Sequence, residues 1–169
     1  MTIEVSNNKK EFKIVDHDKV VLKGGRTKWY SSGINFFHNS KTYEIKKKGI
    51  WSASFTIFES GHPIGEINWS LKKGIKLILT NKQKGTNSYW LKTEKVGKWY
   101  APDQQYILCE NGETPILTIH YSLKKWKESL EAEFSTNDHP NYLLLVCALF
   151  LMRQQQSAQS SAAAGGLGG

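Results

Sequence analysis

The segment YLLLVCALFLM, residues 142–152, carries no charged side chain, and Tyr142 is the only residue in it with a polar group other than the thiol of Cys147. As an α-helix its eleven residues reach about 16 Å, whereas a bilayer's hydrocarbon layer is about 30 Å thick. It is therefore too short to span. Extension is blocked by Asp138, His139 and Pro140 on one side and by Arg153 and three glutamines on the other. Helix is favoured over strand, because Pro140 suits a first turn, Asp138 or Asn137 can cap the free amides, and the leucines, Ala148 and Met152 are good helix formers. Wound at about 100° per residue, these side chains cover every face and leave no polar stripe for solvent. A helix of this kind must be enclosed on all sides.

The rest of the chain can supply only β structure for the enclosure. Turn signals such as Gly24-Gly25, Ser60-Gly61, Lys84-Gly85 and Asn111-Gly112 recur mostly every 8 to 12 residues or so, the spacing of an all-β sandwich or barrel. Between them apolar and polar residues alternate: Trp51, Ala53, Phe55 and Ile57; Ile67, Trp69 and Leu71; Ile75, Leu77 and Leu79; Leu117, Ile119, Tyr121 and Leu123; Trp126, Leu130, Ala132 and Phe134. Period two with one apolar face describes half-buried antiparallel strands. The fold expected is mostly β: a closed or nearly closed antiparallel β-barrel of about 10–12 strands around the hydrophobic C-terminal helix, since that many strands leave a lumen wide enough for a helix. Residues 1–10 read as an N-terminal arm, 11–156 as one barrel domain with its helix at about 139–156, and 157–169 as a disordered low-complexity tail.

Composition narrows the classes further. A chain of 169 residues with 39% hydrophobic content forms one globular domain without disulfide staples. Cys109 and Cys147 are too few and too far apart for a disulfide framework or a zinc site, which points to a reducing, cytoplasmic setting. The polar start MTIEVSNNKKEFK has no secretory character. Net charge is +8 and uneven: residues 1–100 hold 19 Lys and Arg against 8 Asp and Glu, the remainder 4 against 7. Such a surface attracts anionic partners in general.

The order of elements, many short strands, then KKWKESLEAEFS, the break TNDHP and the apolar helix NYLLLVCALFLM, resembles the tubby-like superfamily of tubby C-terminal domains, LURP-one-related proteins and phospholipid scramblases. WSASFTIFESGHPIGEINWSLKKG is similar to its strand, glycine turn, strand pattern. The resemblance covers residues 11–156 and implies a barrel of about twelve strands around a central hydrophobic helix. In the tubby branch it also implies binding of phosphoinositides. The scramblase branch is linked to a calcium-responsive acidic segment and a membrane-associated C-terminus, whereas this chain has no run of Asp and Glu and a polar tail after Met152.

Catalytic machinery is not legible. His17, His38, His62, His120 and His139 fall in no metal-ligand spacing, and no nucleophile elbow, phosphate loop or dinucleotide fingerprint occurs. Asp16-His17-Asp18 reads as a turn, and Glu110 and Glu113 flank a hairpin. No cofactor is implied, and the chain reads as a monomeric non-enzyme. The candidate site is basic: Lys46, Lys47 and Lys48 end one strand, Lys72, Lys73 and Lys76 bracket the turn at Gly74, and Lys82 and Lys84 adjoin another. Gathered at one barrel end, these would form a cationic rim for anionic membrane lipid, at about 1 kcal/mol per lysine. Lysines at strand ends also serve simply to block sheet aggregation. Two alternatives are a single-stranded nucleic-acid surface using Trp69, Trp90 and Trp99 near lysines, and a lipocalin-like carrier with a hollow lumen. Alternation places most of those rings inward, and a carrier's outer helix needs a polar face.

Overall fold

Twelve antiparallel strands follow one another in an up-and-down meander, and the last closes on the first. The computed structural model describes residues 1–6, 11–26, 33–49, 52–70, 74–81, 85–96, 103–124, 127–135 and 140–165. The strands are β1 (Thr2–Val5), β2 (Glu11–Asp16), β3 (Lys19–Arg26), β4 (Ile34–His38), β5 (Lys41–Lys47), β6 (Phe55–Glu59), β7 (His62–Ser70), β8 (Gly74–Asn81), β9 (Gly85–Lys95), β10 (Gln104–Glu110), β11 (Thr114–Lys124) and β12 (Lys127–Phe134). Each pairs with its sequence neighbours, and β1 closes the cylinder against β12. The closed antiparallel barrel read from the sequence is thus the architecture observed.

Tight turns make the meander possible. Asn111 and Gly112 have φ of 51° and 82°, the pair of positive angles that a type I′ hairpin requires and that Asn-Gly accepts readily. His17 and Asp18, at 47° and 62°, form the β2–β3 turn in the same way, so the acid-imidazole cluster is a turn as expected. His17 is nearly fully exposed there.

The arm expected at residues 1–10 is corrected by the seam. Val5 to Thr2 pair with Phe12 to Val15, and Thr2 opposes Glu131. The α-amino group of Met1 donates to the Ala132 carbonyl at 3.0 Å, and the Ala132 amide returns a bond to Met1. In Thr-Ile-Glu-Val the apolar side chains alternate, and Ile3 is buried in the core. A four-residue strand is too short to stand out as a pattern, yet without it β2 and β12 would both be bare edges. A smaller correction concerns the strand read from Trp51: β6 begins at Phe55, Ala53 is exposed in a bend, and Trp51 lies outside the described residues.

The helix α1 (Tyr142–Gly165) runs through the barrel. Every residue from Leu144 to Met152 is buried, on all faces, in one cluster with inward-facing strand side chains such as Ile14, Ile57, Leu117 and Ile119. Each large apolar side chain of this run fully removed from water contributes roughly 1.5–3 kcal/mol. Its start differs from expectation: Asn141 is the cap, its Oδ1 accepting from the Leu144 amide at 3.2 Å, and Pro140 precedes it. Asp138 and Asn137, the caps expected, lie outside the described residues. Its end differs too. The helix continues to Gly165, where a disordered tail from 157 was expected. Gln, Ser and Ala here add one hydrogen bond per residue to a helix already nucleated in the core, and propagation is far easier than nucleation. No helix among the described residues is long and apolar enough to cross a membrane.

Candidate functional site

Antiparallel alternation sorts the chain's turns between two mouths. The helix enters at one, beside the turns at His17–Asp18, Asn39–Ser40, Ser60–Gly61 and Asn111–Gly112. It leaves at the other, beside the start of β12 and the end of β9.

Tyr142 occupies the entry mouth, packed edge-on against His38 with ring centroids 5.0 Å apart. Burial holds the His38 imidazole below its ordinary pKa, so the ring is neutral at neutral pH. Burial, and then the nearby Asp16 carboxylate, push the Tyr142 phenol up. At the exit mouth a polar collar grips the helix. Arg153 donates to both carboxylate oxygens of Glu128, at 2.9 and 2.7 Å, and to Gln156 Oε1 at 3.0 Å. Thr93 Oγ1 donates to Gln155 Oε1 at 3.1 Å. The forked Arg–carboxylate contact fixes distance and orientation together. Between the mouths, Phe55 meets Phe150 edge-on at 4.9 Å. The lumen in which a lipocalin-like carrier would hold its ligand is occupied by the chain's own helix.

With the lumen filled, the charged side chains among the described residues lie at the mouths and on the outer wall. Lys46, Lys47 and Lys48 lie at the exit mouth, all exposed. Lys46 Nζ is 2.7 Å from Glu44 and 5.7 Å from the Phe58 ring centroid. Lys48 Nζ is 3.4 Å from Glu66. Lys47 lies in register opposite Phe55, on the strand face that lines the lumen. Lys76, on the outer face of β8 near the same mouth, sits 5.3 Å over the Trp90 ring. Lys72, Lys73, Lys82 and Lys84 fall outside the described residues. Asn81 and Gly85, which bracket the last two, end their strands at the entry mouth. Of the eight lysines the described residues thus place four, Lys46, Lys47, Lys48 and Lys76, and these four lie at or near the exit mouth.

The aromatic residues weighed for nucleic acid divide as well. Trp69 faces inward and packs against the core. Trp90 alternates with buried Tyr89 and Leu91, so it faces outward, and Lys76 covers it. Trp99 lies outside the described residues. Cys109 and Cys147 are both free and buried. Burial alone pushes the Cys147 thiol up to about 12.

What sequence reasoning missed is a concave groove of ≈ 770 Å³ on the outer wall of β1–β5, floored by Gly24 and Gly25 and flanked by Lys23, Arg26 and Phe37. Gly24-Gly25 read as turn punctuation, but both glycines lie within β3.

Fold and mouths together define a class: a closed twelve-stranded antiparallel barrel filled by its own C-terminal helix, with polar groups at both openings. Comparison of the chain with protein-family models, with curated proteins and with solved structures returns no match.

Proposed function

We propose that this protein is a non-enzymatic binding or scaffold module of the tubby-like kind, which meets anionic membrane lipid through the lysines of its exit mouth. The observation that carries this reading is the filled lumen, because a barrel without an internal chamber presents its chemistry at its ends and on its wall. Supporting it are the basic net charge of +8 and the placement of Lys46, Lys47 and Lys48 at one opening. The ion pairs of Lys46 and Lys48 involve lysine side chains with 57% and 59% exposure. Exposed pairs of this kind are held by about 1 kcal/mol or less and exchange readily for a phosphate surface. Outward positions such as Lys13, Glu44, Glu66 and Lys92 are charged, the reverse of the apolar outer band of a barrel that spans a bilayer. Two buried free thiols support a reducing, cytoplasmic location at a membrane surface.

Vesicle sedimentation tests the reading. Vesicles containing phosphatidylserine or phosphoinositide should retain the protein, neutral phosphatidylcholine vesicles should not, and Lys46→Glu with Lys47→Glu and Lys48→Glu should weaken retention on the order of a hundredfold. Retention indifferent to the triple reversal overturns the assignment, as does stronger retention by single-stranded DNA at the same salt.

A further inference from the structure

The outer wall of β1–β5 carries a second, separately placed arrangement. Cross-strand register sets Glu4, Lys13, Lys23, Phe37 and Thr42 side by side in one row across five strands. The next row toward the exit mouth runs Glu11, Gly25, Asn35, Glu44. Gly25 contributes no side chain, so this row has a gap between Glu11 and Asn35, two strand spacings or about 10 Å wide. The gap opens into the groove of ≈ 770 Å³, whose lining also includes the buried Phe12 and Phe36 and whose volume is within the range of about 300–1,000 Å³ typical of small-ligand sites.

Three features of the groove ask for an occupant. Phe37 is 61% exposed, the most exposed large apolar side chain among the described residues, and it stands directly across from Lys23. Lys13 and Lys23 are themselves cross-strand partners, an unfavourable like-charge pair. Lys13 is answered by Glu4 at 2.7 Å, whereas neither Lys23 nor Arg26 has a carboxylate within 4.0 Å among the described residues. Glu11, on the far border, repels negative charge and so directs an anionic group toward Lys23.

We infer that this groove binds a small planar aromatic anion, its ring lying on the bare Gly24–Gly25 backbone against Phe37 and its carboxylate or phosphate on Lys23. A flat ring fits a floor one side chain deep. An anion placed there relieves the Lys13–Lys23 opposition, and a ring beside Phe37 removes exposed apolar surface while adding the geometric preference of aromatic pairs. The site is independent of the exit-mouth lysines and stands or falls apart from the lipid reading.

Titration of the full-length ¹⁵N-labelled protein with naphthalene-2-carboxylate, cyclohexanecarboxylate and inorganic phosphate tests it. Naphthalene-2-carboxylate should give saturable amide shifts at Gly24, Gly25 and Asn35 to Phe37, with affinity about tenfold above the other two probes. Phe37→Ala and Lys23→Glu, both at exposed positions, should each lower that affinity about tenfold with the rest of the spectrum unchanged. Gly25→Val, which fills the floor without altering charge, should abolish the shifts. Overturning results are the absence of saturable shifts, shifts that map elsewhere, equal affinity for all three probes, or shifts that survive Phe37→Ala and Gly25→Val.

Discussion

Gly24 lies on the inward face of β3 where the ring of Phe12 passes beneath it. A Cβ built there would stand 2.4 Å from Phe12 Cζ and 2.9 Å from the Asn35 carbonyl oxygen. Gly24→Ala should therefore cost about 1–3 kcal/mol in urea unfolding, by overpacking, and Phe12→Leu in the same chain should recover part of it; an unchanged midpoint contradicts the packing. At the exit mouth, Arg153→Met leaves Glu128 without its forked partner. Because the two side chains keep 23% and 17% exposure, the loss should be about 2 kcal/mol, below that of a fully buried pair, and Glu128→Met on top of it should restore most of the stability. Tyr43 offers a pH signature. Burial, and then its hydrogen bond to Glu59 at 2.8 Å, raise its phenol from 10.0 to about 12. A group whose folded pKa is raised contributes stability that is complete below pH 10 and is lost as pH climbs to 12. The stability gap between the native chain and Tyr43→Phe should accordingly narrow across that window, and a constant gap would show that the phenol is not held in this way. None of these three partnerships was legible in the sequence, since each joins residues brought together only by the register of separate strands or by the helix. The Asn111-Gly112 turn was legible, because its chemistry is local.

At the scale of elements, the helix was read from one property, the absence of a polar face, and that property alone demanded a surrounding wall. Its cap was misplaced by several residues because Asn137, Asp138 and Asn141 are all able caps and only the position of the wall selects among them. Its far end was misread for a different reason. Composition measures whether a segment can bury surface, while residues 157–165 inherit a helix nucleated elsewhere. Two truncations separate the parts. Ending the chain before Asn141 removes the core and should give an insoluble or unfolded product. Deleting 157–169, whose described positions 157–160 are exposed, should change stability by less than about 0.5 kcal/mol.

For the whole molecule, the alternation of strand faces was readable along most of β6 to β12, and it predicted correctly that Ile75, Leu77, Leu117, Ile119, Leu130 and Ala132 are buried. That Lys46, Lys47, Lys48 and Lys76 fall toward one mouth follows from the parity of an antiparallel meander once closure is known. Closure itself depended on Thr2–Val5, too short to register as a strand. Sequence and fold meet in one claim, that the most apolar segment of the chain is the inside of a closed barrel. Cys147 lies at the middle of that segment, 0% exposed, with its thiol pushed up to about 12. In a Cys109→Ala background, its labelling by a thiol reagent should be negligible in native buffer. As urea rises, labelling should follow the global unfolding free energy with the same slope, because an enclosed helix is reached only by opening the barrel. Rapid labelling in native buffer, or labelling with a free energy well below that of global unfolding, would contradict the enclosure.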